Sequence, residues 1–423
     1  MAAMPGPLFL GARGVRRATA TRRAQARRRR FCRHRAPGRD RRARRRRGWQ
    51  VKDPRYHELD ALRAIAALGV ICWHYVHTYH VAPLAAVLAP FYGRGLLMVD
   101  FFFVLSGFVL ARAFWVDGRA QRFGANLRAR LARIYPLHLL TLCAVAAMQW
   151  RLAALGQPPF VYAANDGYHF ALNLLLLNSS GLQQGFSFNA PSWSISTEFL
   201  VNLAFLAIIA APAKIARGLV WAVLAAALAT MAVRGVINAS KALGWIDNDV
   251  VRTAAGFFLG VVLHRLHRAL GEPAPQAAAR ARWPWDLLAL AAMAGVYWYL
   301  SSDAWSNAGD LLTCYLAFPV LILCVVRSGA VRAALRLRPM VRLGEMSYSI
   351  YLVHFPLMLA LHLWTLHSGQ PLAYAERWFF PAFIAAVLAV SYCSHRWIEE
   401  PGRRWLAGRR TGAAGVGASA APR

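Results

Sequence analysis

Long apolar runs recur along the chain from residue 59 to residue 395, parted by short clusters of arginine, glycine and proline. A run of about 20 apolar residues lets a helix cross the ~30 Å hydrocarbon core of a bilayer. The runs predict ten spanning helices, over residues 59–82, 95–115, 134–151, 192–211, 218–236, 250–266, 285–301, 309–326, 343–366 and 378–395. An eleventh run, residues 168–178 (YHFALNLLLLN), has only eleven residues and is too short to span. It is expected to lie in the interface or to re-enter the bundle, which the backbone tolerates where it lines a cavity. The expected fold class is therefore all-α, a polytopic transmembrane helical bundle with one short re-entrant or interfacial helix. The runs are continuous rather than alternating, which argues against a β-barrel.

Composition agrees with this reading: 58% of the 423 residues are hydrophobic and the mean hydropathy is +0.35. The net charge of +32 is concentrated, because residues 1–50 hold eighteen arginines and a single acid, Asp40. That tail is low in complexity and cannot pack a core, so it is expected to be a disordered cytoplasmic extension, or a start placed too early. It gives no specific nucleic-acid reading, although such a tail can meet anionic lipid. Three units follow: residues 1–50 as the tail, 51–405 as the transmembrane domain and 406–423 as a flexible cytoplasmic end. With both termini cytoplasmic, the inner loops carry 23 Lys/Arg and the outer loops five: Arg94, Arg151, Arg234, Lys241 and Arg377. This positive-inside bias orients the chain in a cell membrane, the inner membrane if bacterial, and it would be reversed if residues 168–178 spanned. The six cysteines form no CxxC pair, so a disulfide framework and a thiolate metal site are not expected.

Within the apolar runs stand a few costly polar residues. Arg63 and His74 are eleven residues apart in the first span, roughly 16 Å along a helix and on one face. Ionisable side chains at membrane depth face a cavity or a partner, so the pair points to an active site or a permeation path. Histidine titrates near neutrality and can move a proton or attack an acyl group. Asp100, in the outer half of the second span, could orient that imidazole or serve helix packing. Ser106-Gly107 reads as a small pair for close helix approach rather than as a nucleophile. Arg130 and Arg133 share a face at the cytoplasmic mouth of the third span, where paired guanidiniums suit phosphates and also satisfy topology. Glu198 and Trp193 fall at the outer mouth of the fourth span, where an acid could bind or deprotonate a sugar hydroxyl. The ninth span opens with Glu345 and carries His354; the last ends at Pro401 with Arg396, Arg403 and Arg404 at the boundary.

These blocks together resemble the membrane-bound acyltransferase 3 family, integral membrane O-acyltransferases of glycans. The matching residues are Arg63-Ala64 through His74, then Asp100-x-Phe102-Phe103-x-x-Ser106-Gly107-Phe108, and Arg130-x-x-Arg133-Ile134-x-Pro136. Pro191-Ser192-Trp193-Ser194 through Glu198, Gly344-x-x-Ser347-Tyr348-Ser349-Ile350-Tyr351-Leu352-x-His354-x-Pro356, and Arg396-x-Ile398-Glu399-x-Pro401 follow in order. Each block alone is ordinary; six in sequence over residues 59–405 are specific. The resemblance implies transfer of a short acyl group, commonly acetyl, from cytosolic acyl-CoA to a carbohydrate hydroxyl, with no metal. It implies His74 as the catalytic histidine, Arg63 as its partner, and Arg130 and Arg133 on the coenzyme A side. Asp100 then becomes a candidate to fix the imidazole tautomer and Glu198 to position the acceptor. His138 departs from the family's usual aromatic after the proline. The family's optional esterase-like domain has no counterpart, so product would pass on directly or through a separate periplasmic partner. A proton-coupled transporter would use the same intramembrane His, Arg and Asp, but it does not need paired arginines at one mouth. Such a transporter also usually shows internal repeats, and none is evident.

Overall fold

The structure, a computed structural model, describes residues 55–115, 122–237, 246–271, 278–303 and 305–406. The arginine-rich tail, Lys241 and the C-terminal residues 407–423 lie outside the described residues. Among those described there is no strand, and the elements are all helical. In chain order they are α1 (His57–Tyr79), α2 (Ala85–Arg94), α3 (Met98–Phe114), α4 (Phe123–Ala154), α5 (Gly167–Leu174) and α6 (Ser192–Ala210). Then follow α7 (Ala213–Arg234), α8 (Asn248–Ala269), α9 (Ala278–Ser301), α10 (Asn307–Leu312) and α11 (Phe318–Arg327). The series closes with α12 (Ala330–Leu335), α13 (Arg338–Glu345), α14 (Ser347–Ser368), α15 (Phe379–Ser394) and α16 (Glu400–Leu406).

Eight helical runs are long and apolar enough to cross a membrane: 57–79, 85–114, 123–154, 192–210, 213–234, 307–327, 347–368 and 379–406. Helices α8 and α9 occupy the places of the two remaining expected spans, with 22 and 24 residues. They are less apolar, since α8 carries Asp249, Arg252, Arg265 and Arg268.

Three expectations about these segments change, and a fourth, open between the interface and re-entry, is decided for re-entry. The third span does not begin at residue 134: α4 starts at Phe123 and runs 32 residues, about 48 Å, so Arg130 and Arg133 stand two to three turns inside it. The ninth span is divided at Met346, which places Gly344 and Glu345 in the separate helix α13. Pro401 does not stop the last helix. A π turn at His395–Glu399 carries the helix on without a break, and Pro401 lies inside the run that ends at Leu406. Residues 155–191 do not stay at one end of the bundle. Asp166 accepts from the His169 N–H and starts the eight-residue α5, and these bonds from His169 hold its carboxyl below the usual range. Helix α5 then runs back beside α4, where Tyr135 Oη donates to the Leu174 carbonyl and His138 Nε2 to that of Asn173. Residues 167–174 are thus a short buried-face helix against α4, and His138 has a structural role.

Two close approaches set the helix frame. Gly107 of α3 faces the Phe257 carbonyl of α8, and Gly260 of α8 faces the Val104 carbonyl of α3. A methyl group at either glycine would overlap the facing backbone, so the Gly107–Gly260 crossing depends on missing Cβ atoms, the membrane mode of helix packing. Phe103, Phe108, Phe257 and Phe258 fill the space around it.

Candidate active site

Helix α4 presents Arg130 and Arg133 on one face, toward α1, α6 and α14. Arg63 of α1 and Glu198 of α6 join them around a single open cavity enclosing about 670 Å³, its mouth included. Arg130 Nη2 donates to Glu198 Oε1 at 2.6 Å, and Ser106 Oγ of α3 donates to the same oxygen at 2.6 Å. Three guanidiniums and one carboxylate therefore line the cavity together. Tyr348 and Tyr351 of α14 supply the opposite wall. The Tyr348 hydroxyl donates to the Ile134 carbonyl at 2.5 Å, and that of Tyr351 shares a 2.8 Å bond with Ser194 Oγ.

This placement corrects the expectation for Glu198, which was set at the outer mouth, far from Arg130. The cause is the return of residues 167–190 into the bundle. Ser196 Oγ donates to the Leu176 carbonyl and Asn178 Nδ2 to Ser192 Oγ, so α6 starts beside the middle of α4 and not beyond its end. Pro356 contributes from α14. Having no N–H, it leaves the Leu352 carbonyl without its helical donor, and Asn189 Nδ2 fills that role at 3.2 Å, pinning the start of α6.

His74 lies three turns along α1 from Arg63. Its Nδ1 is 3.1 Å from the Val70 carbonyl and 3.2 Å from Nε2 of His354, whose own Nδ1 is 3.3 Å from the Ile350 carbonyl. The ring of Tyr351, a wall of the arginine cavity, lies 6.2 Å from that of His354. The histidine pair and the arginine cavity are thus neighbours across one tyrosine.

Asp100 does not orient His74. Its carboxylate takes two bonds from Arg252 of α8, Nε to Oδ1 at 2.8 Å and Nη2 to Oδ2 at 2.6 Å, with both side chains 1% exposed. Asp249 is 3.5 Å from the same guanidinium, which also lies 5.4 Å from the ring of Trp193. Trp193 is accordingly packed within the bundle. Sequence reading passes over Arg252, which signals itself as an arginine inside an apolar run, and it names His354 in the ninth span without a partner or a role. Arg396 is apart from the cavity, while Arg403 and Arg404 stand beside Glu400. Among the described residues, no cluster of three or more histidine, cysteine or acidic side chains could hold a metal ion.

A family model described as an acyltransferase domain matches residues 56–396, most of the chain and the whole of this site. The chain belongs to the acyltransferase 3 family. It is 31% identical over 384 residues to the acyltransferase MdmB of Streptomyces mycarofaciens, covering 84% of this chain and 94% of that one. It is 33% identical over 173 residues to protein 2 in the picA locus of Rhizobium radiobacter, covering 37% of this chain and 83% of that one. No solved structure matches. This acyltransferase 3 protein is a multi-pass membrane acyltransferase.

Proposed function

We propose that this chain is an O-acyltransferase that moves a short acyl group, acetyl foremost, from cytosolic acyl-CoA to a hydroxyl of an envelope or secreted carbohydrate. The observation that carries the reading is the pairing of two unlike sites through Tyr351: a cavity with three arginines, and a histidine with a vacant nitrogen. Guanidiniums in a fixed fork suit phosphate oxygens, and Arg63, Arg130 and Arg133 are the residues that would hold the donor's phosphates. Glu198 offsets part of their charge and, with Ser106, fixes the Arg130 fork. Arg63 and His74 are separated by roughly 16 Å on one helix, a distance that the pantetheine arm of a thioester can bridge. Nδ1 of His74 faces the carbonyl of Val70, which only accepts, so it carries the ring proton. Nε2 then bears a lone pair, and it has no partner among the described residues.

His74 Nε2 takes the proton of the acceptor hydroxyl as that oxygen attacks the thioester carbonyl. The carbon–sulfur bond breaks, and the proton on Nε2 passes to the departing thiolate. Direct attack of Nε2 on the thioester, with an acyl-histidine handed on, uses the same nitrogen. Both termini and the arginine cavity face the cytoplasm in this scheme, and the carbohydrate approaches from the other side.

The test is transfer of radiolabelled acetyl from acetyl-CoA in membranes that express the chain, beside His74→Ala at equal level. Label in a base-labile carbohydrate ester is expected in the wild type and absent from the variant. Equal label in both would remove His74 from the chemistry and overturn the reading.

A further inference from the structure

The histidine that the proposed reaction does not use is fully buried, stands on a different helix from His74 and points its ring nitrogen at it. We infer that His354 is a positioning residue, whose neutral Nε2 accepts the Nδ1–H of His74 and holds that imidazole with Nε2 open for the proton transfer.

The proton assignment follows from the acceptors. The Ile350 carbonyl cannot donate, so the 3.3 Å contact with His354 Nδ1 needs its hydrogen on that nitrogen. A neutral imidazole protonated at Nδ1 bears its lone pair at Nε2. That lone pair is 3.2 Å from His74 Nδ1, whose one hydrogen is shared between it and the Val70 carbonyl at 3.1 Å. One consistent chain results, from His74 to His354 to the α14 backbone, with both rings neutral.

Val70 and His354 do different work. Val70 lies one turn back on α1 and decides only which nitrogen bears hydrogen. His354 comes from α14, and the two ring centroids are 4.9 Å apart at 46°. An acceptor from a second helix fixes the direction of the ring as well. Once Nε2 of His74 gains the acceptor's proton, the Nδ1–H bond to His354 becomes charge-assisted and strengthens, so it favours the transition state over the ground state. In hydrolytic triads a carboxylate takes this place. Here the carboxylate that the sequence offers, Asp100, is held by Arg252, and a buried imidazole stands instead. Being neutral, it needs no counter-charge at that depth.

The inference rests on His74 being the reacting histidine, and the experiment separates the two. Initial rates of acetyl transfer are measured against acetyl-CoA concentration for wild type, His74→Ala, His354→Leu and His354→Gln at matched expression. Melting of each detergent-solubilised protein serves as the folding control. The glutamine amide oxygen reaches close to the place of imidazole Nε2 and accepts; leucine cannot. His354→Leu is expected to lower the maximal rate about 10²-fold with the acetyl-CoA KM within about twofold. His354→Gln is expected to recover most of that loss. A purely structural histidine would show equal losses in the two variants, tracking their melting temperatures, and that result overturns the inference while an inactive His74→Ala keeps the proposed reaction. An active His74→Ala overturns the reaction itself. Carbethoxylation of His74 by diethyl pyrocarbonate, followed by peptide mass spectrometry, needs no acceptor. It should be slower in His354→Leu than in wild type and His354→Gln, and equal rates in all three also overturn the inference.

Discussion

Two carboxylate–guanidinium pairs sit within this bundle, and they behave as opposites. Asp100 and Arg252 are each 1% exposed, bonded twice to one another, with a second acid, Asp249, on the same guanidinium. Arg130 and Glu198 are bonded once, are 9% and 24% exposed, and share their cavity with two further arginines. The first group has no surplus positive charge and no access, so its energy goes into joining α3 to α8 at the Gly107–Gly260 crossing. The second has two further guanidiniums on the walls of the same cavity and an opening, which is what an anionic ligand needs. An ionisable side chain at membrane depth is therefore a functional pointer only once its charge balance and access are known.

The sharpest way to break this comparison is to remove one member of the sealed pair. Arg252→Leu leaves Asp100 uncompensated, and loss of one partner of a buried pair costs about 3–5 kcal/mol. The expected outcome is a large fall in melting temperature in detergent and in membrane yield, with the acetyl-CoA KM of any folded fraction unchanged. A folded Arg252→Leu protein with a raised donor KM would place Arg252 in the donor site and dissolve the contrast. Next in size is the open cluster. Arg133→Ala removes a charge-assisted contact of about 1.5–3 kcal/mol, an increase in donor KM of about ten- to a hundredfold. Its melting temperature should stay near that of wild type. Stability loss without a change in KM would make Arg133 structural. The smallest effect is expected from Glu198→Gln, which keeps the shape and removes the carboxylate charge that competes for Arg130. The donor KM should fall slightly, by a factor matching about 0.5 kcal/mol. A raised acceptor KM with an unchanged donor KM would return Glu198 to the role that its sequence position had suggested.

Most of the helices were legible because apolar length is a local property. The first, fourth, fifth and eighth expected spans agree with α1, α6, α7 and the run 307–327 to within a few residues. Boundaries failed where the next turn is held by neighbours. The extra turns at the start of α4 carry arginines and have no apolar signal, and the π turn at His395–Glu399 overrides the proline rule through a change of register. The arginine group was legible in kind: Arg63, Arg130 and Arg133 were associated with one ligand, and they line one cavity. Glu198 differs from its expected place because depth along a span presumes that every span starts at a membrane face, and α6 does not. Asp100 leaves two roles open in the sequence, and its pairing with Arg252 of α8 selects helix packing.

From its sequence alone the chain determined a membrane-embedded helical bundle, the costly residues within it and the family they mark, because hydrophobic length, charge bias and motif order are written along one dimension. Only the tertiary structure decided which charge meets which. Arg252 and not His74 binds Asp100, Arg130 binds Glu198, and His354 meets His74 across 280 residues of chain. Those pairings depend on where residues 155–191 turn back and on how closely two glycines let α3 and α8 approach. Both are set by contacts between segments distant in sequence, which no local pattern specifies.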